Sequence, residues 1–357
     1  MSQMVIDTIK DYLKTNKIDG IIVDSWQNVL YASGFTGYGD ALLLITQNDQ
    51  FIFTDDRYTV QVKEQCPAFR HVDCAAHNTA KIKEILKENG IKKVGFEEKG
   101  IEYYYYENLY QRLGVKLCPV SFLFEGMRTY KRAEEIERIQ KACDIASEAL
   151  RRTLAYIKTG VSEIEIAARL EFEMRMGGAE KPSFDTVVAS GIRGSMPHGT
   201  ASTKIINDGD GVTIDFGAFY KGMCSDCTRT YFVGEPSAKM REIYNVVYEA
   251  QQAAIDGYRE GMTGFDVDKI ARDIITDAGY GECFGHATGH GVGIDVHEGV
   301  GISVRSKTVL EPGMVFSIEP GIYVPGVGGV RIEDLVTIRD GKIEILTKGL
   351  PKELTVL

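Results

Sequence analysis

Two hydrophobic periodicities alternate along the first third of the chain. Apolar positions recur at helical spacing over 5–16, and an unbroken apolar run follows at 20–23, so an amphipathic helix feeds a buried strand. Residues 41–46 and 51–54 are two more extended runs joined by a polar turn at 47–50, which predicts a hairpin. A helical pattern over 80–89 stops at Gly90 and leads into a strand at 93–96; a further helix is predicted over 103–113. No period stands out between 122 and 131, and a long helical pattern then runs over 133–157. These patterns predict a small N-terminal α/β domain over 1–123 and a larger α+β domain over 124–357.

The larger part repeats itself. Gly160-Val161-Ser162 opens a helix whose Ser162 and Glu165 form a capping-box pattern, and Gly261-Met262-Thr263 with Asp266 does the same 101 residues later. The run Gly209…Ile214-Asp215-Phe216-Gly217 matches Gly313…Ile318-Glu319-Pro320-Gly321 at an offset of 104. A second acid follows in each copy, Asp226 and Glu333. A duplicated helix-plus-hairpin unit with pseudo-twofold symmetry would bring all four carboxylates to the axis.

Such a set is costly to bury unless something positive sits among the acids. Asp215 and Asp226 flank a hairpin whose turn is predicted at Tyr220-Lys221-Gly222; a loop centred on Tyr220-Lys221 would make the two face each other across the strand pair. Like charges so placed destabilise a hairpin, and a bound dication reverses that sign. The segment FGHATGHGVGIDVHE carries three of the six histidines, His286, His290 and His297, among glycines that let a ligand approach the backbone. Glu319 ends an apolar strand at Pro320 and points toward a cleft; strand alternation puts Arg331 and Glu333 on one face, with Ile332 and Asp334 on the other. A pair of divalent metal ions, and hence metal-assisted hydrolysis, is the simplest solution.

Composition narrows the ligand. The chain has 357 residues, 44% of them apolar and 26% charged, with a net charge of −10 and no basic cluster, which argues against nucleic acid and anionic membranes as partners. Its apolar runs are too short to span a bilayer, and the acid-containing first helix is not a signal peptide. Seven scattered cysteines suit a reducing cytoplasm. Cys224-Ser-Asp-Cys227 is set aside as a redox or zinc motif because Asp226 lies inside it and no second cysteine pair exists.

The motifs SGIRGSMPHGT, IDFGAFYKGMCSDCTRT, TGHGVGIDVHE, SIEPGIY and VRIEDL, in that order, resemble the pita-bread metallopeptidases, specifically the Xaa-Pro branch of aminopeptidase P and prolidase. The first third is more loosely similar to that family's creatinase-like N-terminal domain, at Asp55-Asp56-Arg57-Tyr58. The resemblance implies that Asp215 chelates one metal, that His290 and Glu319 bind the other, and that Asp226 and Glu333 bridge them. It also implies that Glu319 is the base toward the attacking bridging hydroxide and that His198 and His297 bracket the substrate. His286 would line the substrate pocket, and Arg331 would orient Glu333 or the substrate. Such an oxygen-dominated ligand set favours Mn²⁺, with Co²⁺ or Zn²⁺ as alternatives.

The function so implied is an Xaa-Pro aminopeptidase acting on peptides with proline in second position, as a cytoplasmic homodimer. Prolidase, with the same site, is the alternative; a non-catalytic pita-bread binding protein ranks behind both, because all five ligand positions are kept. The aminopeptidase is placed first because prolidases often carry an arginine just beyond Val-His-Glu, whereas here the nearest is Arg305.

Overall fold

The computed structural model describes residues 2–357, which form two compact units divided between Met127 and Arg128. In the first, six strands make one sheet: β1 (Gly20–Val23), β2 (Leu42–Thr46), β3 (Gln50–Thr54), β4 (Arg70–Asp73), β5 (Lys93–Glu97) and β6 (Lys116–Val120), in the order β4-β3-β2-β1-β5-β6. Strand β2 is antiparallel to both neighbours, while β3–β4, β1–β5 and β5–β6 pair in parallel. Helices α1 (Ser2–Asn16), α2 (Trp26–Ser33), α3 (Thr59–Gln65), α4 (Thr79–Glu88) and α5 (Tyr103–Leu113) complete the unit, and α6 (Leu123–Thr129) spans the division.

The central strands β1 and β2 are buried along their whole length, which is why they read as unbroken apolar runs rather than as alternation. The sequence pattern missed β4 and β6 because they are the sheet's edges, where Arg70 and Asp73 are exposed and Pro119 is accommodated. It also missed α2, α3 and α6, each of only seven or eight residues, too short to show a period. Helix α6 occupies part of the stretch read as patternless and runs across the boundary drawn at 123/124. The long helix read over 133–157 ends earlier, at Thr153, and closes in a 3₁₀ turn.

The second unit is built in two halves. The first packs α7 (Ala133–Thr153) and α8 (Glu163–Met176) against β8 (Val187–Ser190), β9 (Gly211–Phe216) and β12 (Cys227–Phe232), around a core that includes Leu150, Leu170, Val212 and Ile214. Beside it β7 (Lys181–Pro182), β10 (Ala218–Tyr220) and β11 (Met223–Cys224) form a small sheet. The second half packs α9 (Ala238–Gly257) and α10 (Gly264–Asp277) against a sheet over a separate core containing Val247, Val267, Phe316 and Val336. Its strands are the pairs β13 (Gly289–His290) with β14 (Gly301–Ile302) and β16 (Gly321–Val324) with β17 (Gly328–Arg331), and the sheet β15 (Val315–Ile318), β18 (Asp334–Arg339) and β19 (Lys342–Ile345).

The duplication is visible in local geometry. Helices α8 and α10 are each 14 residues long, begin 101 residues apart (163 and 264) and open with complete capping boxes. Glu165 accepts the Ser162 N–H at 2.8 Å, and Asp266 accepts the Thr263 N–H at 2.8 Å. Gly209 and Gly313 each turn the chain before the acid-bearing strand with φ of +83° and +90°, a region open to glycine at no steric cost.

One expectation is corrected. Residues Asp215 and Asp226 do not face each other: the turn falls at Lys221-Gly222, and Asp215 pairs with Thr228. Asp226, two residues before Thr228, lies diagonally across from Asp215. The diagonal leaves more room between the carboxylates than direct opposition would.

Candidate metal centre

Four backbone devices deliver the acids to one place. Asp215 comes from β9, Asp226 from the short link before β12, Glu319 from the residue after β15, and Glu333 from the two-residue step between β17 and β18. The Glu333 N–H donates to the Thr228 carbonyl at 3.1 Å and the Glu319 N–H to the Thr288 carbonyl at 2.7 Å, so both acids are fixed through their backbones. His290 sits between Gly289 and Gly291, where an added Cβ would lie 2.0 Å from the Ser317 carbonyl oxygen and 1.9 Å from that of Glu298; only glycine lets the strand press this close.

All nine residues singled out in the sequence line one cavity of about 530 Å³: Asp215, Asp226, His290, Glu319, Glu333, His198, His297, His286 and Arg331. That volume suits a small ligand. Phe184, Val187 and Val296 supply apolar wall.

Its electrostatics are unbalanced. Arg331, buried, donates through Nη2 to Asp215 Oδ2 at 2.7 Å, and its Nε reaches the Thr228 hydroxyl at 3.1 Å. That hydroxyl in turn donates to Glu333 Oε2 at 2.7 Å. His290 Nε2 lies 3.1 Å from Glu319 Oε1 and 3.6 Å from Asp226 Oδ2. Burial favours the neutral form of Glu319, but the hydrogen bond and charge of His290, with Arg331 behind them, outweigh it and hold the carboxyl down at about 2. Burial alone would lower His290; its hydrogen bond to Glu319 raises it instead. Asp226 and Glu333 go the other way, pushed well above the ordinary carboxylate range by burial and by the neighbouring acids.

This set fits divalent cations. Asp215 Oδ1 and Glu333 Oε1 are buried with no hydrogen-bond partner among the described residues, an expensive state for a carboxylate oxygen. Asp226, His290 and Glu333 each offer a ligand atom, and these atoms lie within 4.8 Å of one another. Oxygen donors with one imidazole are the chemistry of a hard or borderline dication. The Cys224 and Cys227 thiols are buried and unbridged, turned to different carbonyls, of Ile294 and Glu333.

The remaining histidines form a wall. The His297 ring meets that of His290 edge-on, with centroids 4.0 Å apart. Burial and the nearby His290 hold His297 below its ordinary value. Burial likewise lowers His286, whose Nε2 is 2.9 Å from the Tyr323 hydroxyl; Arg331 Nη1 donates to that same oxygen at 2.9 Å. His198 is exposed on the loop after β8. Sequence reasoning missed Thr228, Ser317 and Tyr323. Thr228 lies in CTRT and Tyr323 in SIEPGIY, both within motifs already picked out, but neither carries a charge to flag it. Ser317 hydrogen-bonds Glu319 Oε1 at 2.9 Å and receives the His290 N–H at 3.0 Å.

Comparison with known proteins decides the family. The model of metallopeptidase family M24 matches residues 137–340, and that of the creatinase/prolidase N-terminal domain matches 6–130. The chain belongs to metallopeptidase family M24. It is therefore a peptidase, a hydrolase whose family works with divalent metal ions, and the expected pita-bread architecture behind a creatinase-like domain is the one observed. A solved Xaa-Pro dipeptidase from Bacillus anthracis superposes with a TM-score of 0.96 at 44% identity, covering 100% of both chains. An X-Pro aminopeptidase from Thermotoga maritima gives 0.90 at 39% identity, over 96% of this chain and 98% of that one. An Xaa-Pro dipeptidase of Pyrococcus horikoshii is 40% identical over 345 residues, 96% of each protein.

Proposed function

We propose that this metallopeptidase is an Xaa-Pro dipeptidase, hydrolysing the bond between a residue and a following proline at a two-metal centre. The observation that carries the reading is the pair of orphaned buried oxygens on Asp215 and Glu333 beside the Asp226–His290–Glu333 cluster. In this reading Asp215 would hold one ion, His290 and Glu319 would hold the other, and Asp226 and Glu333 would serve both. When bound, the ions supply Lewis acidity, lowering the pKa of a water and polarising the scissile carbonyl. We take Mn²⁺ as the first choice of metal.

The protein's own groups do the rest. Glu319, ionised across the working pH range, accepts the proton of the attacking water. As the C–N bond breaks, the departing proline nitrogen must gain a proton to leave as a neutral secondary amine. His198 and His297 stand at the cavity where they would steady the carbonyl oxygen and pass that proton on. Arg331 holds Asp215 directly and Glu333 through Thr228, and with His286 it fixes the Tyr323 hydroxyl at the wall.

The dipeptidase is preferred to the aminopeptidase expected from the missing arginine because the relatives named above include two Xaa-Pro dipeptidases, one matching the whole chain. One observation keeps the aminopeptidase as a second reading. Among the described residues lining the cavity Arg331 is the one arginine or lysine, and it is already engaged by Asp215, so no uncommitted arginine or lysine of the lining stands ready for the carboxylate of a dipeptide. Hydrolysis of an Xaa-Pro dipeptide and an Xaa-Pro-Yaa tripeptide, with Mn²⁺ and after chelation, tests both. Preferential dipeptide turnover supports the dipeptidase, preferential tripeptide turnover the aminopeptidase, and activity on neither sinks the Xaa-Pro reading. We also take the enzyme to be a cytoplasmic homodimer. Seven free thiols are in keeping with a reducing compartment, and light scattering at twice the chain mass is the test of the dimer.

A further inference from the structure

Glu163, the first residue of α8, is fully buried yet does not line the cavity. An isolated carboxylate in that setting is strongly disfavoured, so its partners matter. Oε1 accepts the Ser190 N–H and the Ser190 hydroxyl, each at 2.8 Å. Oε2 accepts the Ser202 hydroxyl at 2.6 Å and the Ser202 N–H at 3.2 Å, and pairs with the Arg193 guanidinium. Every one of these donors lies on the connection between residues 190 and 202, and that connection carries His198.

The loop is held from the other side as well. Arg331, whose Nη2 holds Asp215, donates from Nη1 to the Pro197 carbonyl at 3.1 Å, next to His198. Arg193 returns to the Thr200 carbonyl at 2.9 Å. His198 thus rides on a segment gripped at both feet by one carboxylate and near its tip by the cavity arginine. The second half solves the same problem with a different residue. Gly264 stands where Glu163 would be, and a Cβ there would lie 2.1 Å from the Gly301 carbonyl oxygen. The buried carboxylate is one turn further on, Asp268, which accepts the Thr288 hydroxyl at 2.7 Å and pairs with Arg272 at 2.8 Å. Arg272 in turn holds the Phe284 and His286 carbonyls at 3.1 and 2.9 Å. In each half a buried helix carboxylate grips a histidine-bearing loop, although the duplicated fold does not require it at the same position.

We propose that Glu163 is a positioning residue for His198, acting through Ser190, Arg193 and Ser202; this rests on the reading above, in which His198 contacts the substrate. Glu163→Gln puts an amide N–H₂ where donors already converge and removes the charge facing Arg193, so the loop loosens while the metal-binding groups are untouched. The expected result is a fall in kcat of about 10- to 100-fold, with KM and Mn²⁺ affinity by calorimetry little changed. The decisive readout is the double-mutant cycle with His198→Ala: once His198 is gone, Glu163→Gln should cost nothing further. Multiplying losses overturn the proposal, as do an unchanged kcat or a loss that follows weakened metal binding. A His198→Ala enzyme with the parent kcat overturns the role given to His198, and the proposal with it; that failure is recognised because the single histidine variant reveals it. If Glu163→Gln does not fold, Ser202→Ala, which deletes the 2.6 Å bond, goes through the same cycle with a smaller expected loss, about 3- to 10-fold, and the same overturning outcomes.

Discussion

The two halves of the metallopeptidase unit start from one plan and end with different counter-charges. Both open a capped 14-residue helix and pass through a positive-φ glycine into a strand with an acid at its end. Yet Asp215 in the first half is paired with Arg331, and Glu319 in the second with His290. Arginine is permanently charged and offers no lone pair, so it can orient an acid but never join it as a ligand. Histidine carries a proton when the acids are uncompensated and becomes a neutral donor when they are not. Duplication supplied symmetric carboxylates; the choice of cation gave one side an orienting clamp and the other a group able to serve as a ligand.

The comparison breaks hardest at Asp226, which faces both halves. Asp226→Asn should abolish hydrolysis and lower metal content, by mass spectrometry of the reconstituted protein, from two ions per chain to below one. Two tightly held ions in that variant would rule it out as a shared ligand. Arg331→Lys comes next: a single ammonium cannot span Asp215, Thr228, Tyr323 and the Pro197 carbonyl together. Loss of kcat/KM by about 10- to 100-fold is expected, with metal still bound but more weakly. A fully active lysine variant would show that only the charge matters on that side. Ser317→Ala tests the other side, removing the hydroxyl that holds Glu319 and the His290 backbone; the expected loss is about 2- to 10-fold. If it exceeds that of Arg331→Lys, the ranking of the two halves is wrong.

A control lies outside both halves, in the N-terminal unit. The hydrogen bond to Asp24, 2.7 Å away, raises the pKa of His77. A group raised in the folded state stabilises fully below its unfolded pKa, about 6.5 for histidine, and loses that contribution as pH rises through the folded value. Both side chains are partly exposed, so the effect is screened to under about 1 kcal/mol. Melting temperatures of the parent and Asp24→Asn should differ slightly below that pKa and converge above the raised value. A gap that widens with pH would reverse the assignment.

Much of this was legible in the sequence, for identifiable reasons. Ser162 and Thr263 announced their helices through the acids three residues on, and the central strands of the first sheet showed as apolar runs because both faces are buried. The nine site residues were visible because charge and imidazole are rare in apolar settings. What stayed hidden depends on register and contact. The hairpin turn shifted toward Lys221-Gly222, which moved Asp226 from opposite Asp215 to its diagonal. Arg331 was expected to serve Glu333 or the substrate, and its direct partner is Asp215, 116 positions away in sequence. Glu163 was not singled out in the sequence: an acid in the first turn of a helix is ordinary beside the helix dipole, and only the 190–202 loop folding onto it makes it a buried partner. The edge strands β4 and β6 were lost to their polar surroundings.

The central claim is that the orphaned oxygens of Asp215 and Glu333 exist to be filled by two cations. Metal-stripped protein titrated with Mn²⁺ in a calorimeter, with Xaa-Pro dipeptide hydrolysis followed on the same samples, tests it directly. The account predicts two equivalents bound per chain and activity that is absent before and restored by them. Full activity in the stripped protein, or saturation with no more than one ion while turnover is complete, would contradict it.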